Sequence, residues 1–257
     1  MPSLKNAASF VALTGALGLA GCTSTGEFDM AQAVNVGAEV GLGVLQASTL
    51  DENSVKQSAS LAAEAMDGKS RIASADSVYT KRLAKITKQF IGLDGLKPNF
   101  KVYISSDINA FAMADGTVRV YSGLLDIMPD DQVAAVIGHE LGHVKLRHSY
   151  QQMRETLITN TAFRAAASAG GTVAALTAGE LGMLAQTAIK ARFSQQDELD
   201  ADSYAVKTLA SLGQDPRAMS RSIKTLQAKS EGGGGFLSSH PSNQRRLENI
   251  ALRVSEL

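Results

Sequence analysis

The spacing of apolar residues changes several times along this chain, and each change marks an element. "TLDENSVKQSASLAAEAMDGK" predicts a helix, with Thr49 and Glu52 at capping-box spacing and Gly68 just past its end. In "ADSVYTKRLAKITKQF", Leu83, Ile86 and Phe90 recur at three and four residues, a second helix. The period then drops to two. Phe100, Val102 and Ile104 alternate with more polar residues in "PNFKVYIS", as in a strand with one buried face. "NAFAMADGTVRVYS" predicts a hairpin turning at Asp115-Gly116. From Pro129 onward the pattern is helical. "PDDQVAAVIGHELGHVKLRH" has two acids in its first turn and Lys145, Arg147 and His148 in its last, a polarity that suits the helix dipole. An Ala-rich stretch over 156–193, broken at Gly170-Gly171, predicts a helical pair. It is too rich in Thr, Ser, Gly and Gln for a membrane span. Further helices are predicted at "SQQDELDADSYAVKTLASLG", from Pro216, and after Pro241, with a glycine run at 232–235 between the last two. The sum is an α+β chain, predominantly helical, with a small β-sheet ahead of the histidine-bearing helix.

Composition narrows the class. Hydrophobic residues are 44 % and charged residues 19 % of 257, as in a folded globular protein. Lys plus Arg balances Asp plus Glu at 25 each, so no electrostatic footprint for nucleic acid is present. The N-terminus has a lone cation, Lys5, then an uncharged apolar run from Ala7 to Ala20 ending in "LAGC". This predicts a secretory signal over 1–21 rather than a spanning helix. Small residues before Cys22, the single cysteine, resemble the lipobox of bacterial lipoproteins. The expectation is lipidation at Cys22, a lipidated tether over 22–50, and a single folded domain over 51–257. Two or more acyl chains would hold the protein on a membrane. Thr23 after the cysteine points to the outer membrane, with the domain facing the periplasm. With no second cysteine, an internal disulfide is excluded.

The chemistry is concentrated in "HELGH". At about 100° per residue, His139 and His143 lie about 40° apart and roughly 6 Å along one helix, so both rings can converge on one cation. Glu140 borders that site without pointing at the ion, placed to act as base toward a water there. The third ligand is sought in "FSQQDELDAD". Glu198 and Asp202 share a face with Ala201 and Ala205, and those alanines, with Gly138 and Gly142 opposite, would let the two helices approach closely. Glu198 is then the third ligand, and Asp202 accepts a hydrogen bond from the outer nitrogen of a ligating histidine. Asp197 and Asp200 read as a solvated acidic face. His148, about 140° around the helix from His143, cannot join the same ion and reads as a C-terminal cap or a dipole partner.

"HELGH", "SQQDELDAD" and "SSHPSNQRR" together, with "NAFAMADGTVRVYSGLL" before them, resemble the HtpX-like family of zinc endopeptidases, a gluzincin group. The likeness spans about residues 51–250. It implies a zincin-like (gluzincin) fold and one zinc per chain, held by His139, His143 and Glu198 with Asp202 in support. It also implies the His-Pro at 240–241 and an arginine at 246. His240 has three readings: oxyanion donor, gate that visits the zinc, or plain loop residue. Gln195 stands where members often have arginine. The implied activity is hydrolysis of misfolded or membrane-associated proteins, with Glu140 as general base and the peptide extended along Asn109, Ala110, Phe111 and Ala112. Expected partners are protein or peptide substrates, the membrane through the lipid, and other outer-membrane proteins. The rival reading is a lipoprotein chaperone or scaffold whose metal is mainly structural.

Overall fold

The computed structural model describes residues 51–160, 176–229 and 235–257. The expected signal segment, Cys22 and the tether over 22–50 lie outside the described residues, as do Gly170-Gly171 and Gly232–Gly234.

Helix α1 is Glu52–Asp67. Its cap is not Thr49 but Asp51, whose carboxylate accepts from the Ser54 N–H at 2.7 Å. The local backbone competition is won by the residue next to the helix, where an extended aspartate satisfies an orphan donor. Helix α2, Val78–Thr87, continues as a 3₁₀ turn over Lys88–Phe90 and buries Leu83, Ile86 and Phe90 as their spacing predicts.

Three strands follow: β1 (Asn99–Tyr103), β2 (Ala110–Ala112) and β3 (Thr117–Tyr121). The predicted hairpin is β2–β3, antiparallel, closed at Gly116 with φ 90°. β1 pairs with β3 in parallel, so the order is β1-β3-β2 and β2 is an edge strand. The expectation of one wet face for β1 does not hold. Val102, Val118, Val120 and Ala110 point into one core, while Tyr103 and Phe111 point into a second core with α1. Tyr103, Phe111 and Tyr121 pack edge to face there at 5.6–6.3 Å. At the rim of that face the adjacent cations Lys101 and Arg119 share the Asp67 carboxylate, which also accepts from the Tyr103 hydroxyl.

A short helix α3 (Ser122–Ile127) leads to α4, Asp130–Lys145. The predicted helix through His148 stops early. Arg147 takes φ 67°, a left-handed residue that ends one helix and begins the next, α5, His148–Thr159. The remaining helices are α6 (Ala178–Lys190), α7 (Gln195–Ser211), α8 (Ala218–Lys229), the single turn α9 (Phe236–Ser239) and α10 (Gln244–Ser255). Among the described residues no helix is long and apolar enough to cross a membrane.

The contact between α4 and α7 is the most extensive in the fold. The small residues meet as the sequence implies: a methyl built on Gly138 would touch Ala205, and one on Gly142 would touch Ala201. Two helices distant in the chain are thus held backbone to backbone, and both present their polar residues to the same buried space.

Candidate metal centre

His139 and His143, one turn apart on α4, and Glu198, in the first turn of α7, converge with His240 so that one ligand atom of each lies within 4.8 Å of all the others. All four are at most 2 % exposed. The Nε2 atoms of His139 and His143 are 3.1 Å apart, and they stand 3.5 and 3.4 Å from the two Glu198 carboxylate oxygens. Nδ1 of His240 is 3.3 Å from His139 Nε2 and 3.0 Å from Glu198 Oε1.

These separations test whether a metal fits. Ligand bonds of about 2.0–2.1 Å in a tetrahedral site put neighbouring donors about 3.3 Å apart, and the four side chains stand at that spacing. The electrostatics agree. Nitrogen lone pairs do not face each other at 3.1 Å in a buried space without a cation or proton between them. Burial also pushes His143 well below the usual histidine range, which keeps its ring neutral as a ligand must be. The donor set, two or three imidazoles and a carboxylate, suits zinc.

Each surrounding residue fixes one of these donors. The Asp202 carboxylate lies 2.9 Å from His139 Nδ1 and accepts from Nε and Nη2 of the buried Arg246 at 2.8 and 2.7 Å. Arg246 Nη1 also approaches Glu198 Oε2 at 2.5 Å. Burial opposes a charged Asp202, but Arg246 and His139 outweigh it and its pKa is lowered. For Glu198 too, burial is outweighed, here by His240 and His139, and the carboxylate stays ionised.

Glu140 projects beside the cluster. Burial pushes its carboxyl up, against the pull of His240 and His139 and of the Ala112 N–H. Its Oε1 is 3.4 Å from His240 Nε2 and has no hydrogen-bond partner. A cavity of about 20 Å³ beside it is lined by Phe111, Ala112, Met113, Met153, Phe193 and His240, room for about one water. Of the strand predicted to receive a peptide, Ala110 and Phe111 have buried side chains, so β2 offers only its backbone edge; Asn109 accepts from Tyr121 N–H and leads into it.

The His240 loop is built for close approach. Gly235 has φ 65°, a Cβ there would sit 2.5 Å from the Ile108 carbonyl, and the Phe236 N–H donates to that carbonyl at 2.9 Å. Phe236 stacks on His240 at 4.3 Å and Phe193 stacks on His143 at 3.8 Å. Neither aromatic was singled out from sequence, where a lone phenylalanine carries no chemical signal. Gln195, at the position where family members often have arginine, accepts from Arg245 at 2.8 Å. His148 is placed differently from its sequence reading: it caps nothing on α4, and its ring lies 3.1 Å from His143.

Comparison with known proteins agrees with the geometry. A family model described as peptidase family M48 matches residues 77–254. The chain is similar to metalloprotease LoiP of Escherichia coli K12, with 39 % identity over 98 % of both chains. It is similar to metalloprotease YcaL of the same organism, with 37 % identity over 98 % of this chain and 99 % of the relative. The beta-barrel assembly-enhancing protease of Escherichia coli K12 is 29 % identical over 62 % of this chain and 35 % of its own length.

Proposed function

The chain belongs to peptidase family M48 and is a metalloendopeptidase, and from that premise we propose that its metal is one zinc ion held by His139, His143 and Glu198. The observation that carries the reading is the set of donor separations of 3.0–3.5 Å among buried side chains. A zinc ion bound there would acidify a water and polarise the scissile carbonyl.

Glu140, raised by burial toward the working pH, takes a proton from the attacking water and delivers it to the departing amine. Asp202 holds the His139 ring by its Nδ1, and Arg246 holds Asp202. The peptide pairs with the backbone edge of β2 near Asn109–Ala112, which brings its carbonyl past Glu140. His240 acts as a gate. With Nδ1 beside His139 and Glu198 it would take the fourth position on a bound zinc, and catalytic zinc sites need that position open. Of its three readings, this one fits its place.

We further assign the chain to the outer membrane, anchored through lipid on Cys22 and facing the periplasm, where it removes misfolded or membrane-associated proteins. Supporting this are the "LAGC" sequence and the similarity to a relative named for enhancing β-barrel assembly. The competing scaffold role is disfavoured by Glu140, a buried carboxylate beside the donors whose Oε1 has no hydrogen-bond partner. The deciding experiment is digestion of unfolded casein by wild type and Glu140→Gln, with a chelator and after zinc re-addition. The variant should bind zinc and fold yet cleave at least 100-fold more slowly, the usual scale for a positioned base. Full cleavage by the variant would end the catalytic assignment.

A further inference from the structure

The two histidines of α4 are not supported alike. His139 Nδ1 meets a carboxylate, whereas His143 Nδ1 meets another imidazole, Nδ1 of His148, at 3.1 Å. Nε2 of His148 in turn faces Asp197 Oδ1 at 3.5 Å. Asp197 is locked in place by a reciprocal cap. Its other oxygen accepts from the Ser194 N–H, and its own N–H donates to Ser194 Oγ, both at 3.1 Å. It therefore sits in the first turn of α7, directly before Glu198.

Two ring nitrogens at 3.1 Å need one donor and one acceptor. His143 faces the cluster with Nε2, which must keep its lone pair to bind a cation, so its proton is on Nδ1. His148 must then accept at Nδ1 and carry its own proton on Nε2. That nitrogen lies 3.5 Å from a carboxylate oxygen, which can only accept. Every member of the chain from Asp197 to His143 thus has its proton position dictated by the next. His143 is fully buried, and His148 is 8 % exposed. The left-handed residue Arg147 makes this possible. It is held by ion pairing with Glu52 and by its guanidinium lying over the Tyr150 ring, and it turns the chain so that His148 comes back against α4.

We propose that His148, backed by Asp197, is a positioning residue that fixes the tautomer and orientation of His143 for metal binding. This rests on the reading of His143 as a zinc ligand. It predicts that the two ligating histidines are supported by different devices, an ion-paired carboxylate for one and a neutral imidazole relay for the other.

The test is zinc affinity of the purified full chain, measured by competition with a chromophoric chelator, for wild type, His148→Leu and His148→Asn. Asparagine places an acceptor oxygen near the lost Nδ1; leucine fills the space without one. His148→Leu should bind zinc 10–100-fold more weakly, the range found when such supporting partners are lost. His148→Asn should recover most of that affinity, while metal-free thermal stability of the leucine variant stays at or above that of the asparagine variant. Equal affinity for all three proteins would overturn the proposal. So would equal weakening in both variants in step with lost stability, which marks mere packing. Nitrogen-15 NMR of the wild type gives a reading that needs no variant: the zinc-loaded chain should carry protons on His143 Nδ1 and His148 Nε2, and a proton on His148 Nδ1 would refute the relay. A wild type that fails to bind zinc would instead remove the parent reading, and the proposal with it.

Discussion

Replacing Gly142 by alanine places a methyl 3.1 Å from both Cα and the carbonyl oxygen of Ala201, and 3.2 Å from a ring carbon of Tyr204. Comfortable carbon contacts begin near 3.5 Å, and two of these atoms are backbone of α7, so relief requires the helices to part by a few tenths of an ångström. Gly138→Ala is the internal control. Its methyl would meet Ala205 at 3.5 Å, an ordinary contact. Both substitutions gain about 1 kcal/mol of helix propensity. Only Gly142→Ala also bears an overpacking cost of about 1–3 kcal/mol. Gly138→Ala should therefore stabilise the metal-free chain by about 0.5–1 kcal/mol and Gly142→Ala destabilise it by about 1. Gly142 precedes His143, and Ala201 precedes Asp202, so the same separation draws Glu198 from the imidazoles and should weaken zinc binding about tenfold. Urea unfolding in chelator followed by a zinc titration measures both effects. Equal stabilisation by the two alanines, with unchanged zinc affinity, would refute the reasoning that small residues set the spacing of the site.

Arg246→Met leaves Asp202 and Glu198 buried without their cation, and denaturant unfolding should report a loss of about 3–5 kcal/mol. His240→Ala should weaken zinc binding yet raise turnover of a short unstructured peptide. A fall in kcat at unchanged zinc affinity would instead identify an oxyanion donor. Burial opposes ionisation of Asp67, but hydrogen bonds from Arg119, Lys101 and Tyr103 prevail and lower its pKa to about 2. A depressed carboxylate contributes fully above its unfolded pKa near 4, and that stability is lost as pH falls through about 2. Allowing for solvent screening on the Lys101 side, Asp67→Asn should cost about 1–2 kcal/mol at pH 7, with the difference from wild type shrinking between pH 4 and pH 2. A constant difference across that range, followed by fluorescence-detected unfolding, would show that Asp67 acts by packing alone.

Much of the site was legible because its signals are local. The spacing of His139 and His143 sets two rings on one face, and the Asp115-Gly116 turn announces its hairpin. The alanines of α7 opposite the glycines of α4 betray a close helix contact from composition alone. What escaped were features decided by distant neighbours. No proline or glycine marks the break after Lys145; Arg147 takes the left-handed backbone there, with its side chain against Glu52 and Tyr150. Read as one continuous helix, the segment put His148 on the wrong face. Parallel pairing of β1 with β3 was equally hidden, since alternation says which residues face inward but not which strand is the neighbour. Phe193 and Phe236 carry no chemical signal of their own in the sequence; only the assembled fold reveals that they stack on imidazoles.

The donors come from separate stretches of the polypeptide: two from α4, one from α7, and a fourth from the loop ahead of α10. During synthesis the rings of His139 and His143 emerge first and Glu198, the third ligand of the proposed site, emerges later, with α5 and α6 in between. A half-made chain consequently holds blades without a pivot. If these donors hold the metal as proposed, cutting power would come only with the native state, and a copy that unravels would lose it.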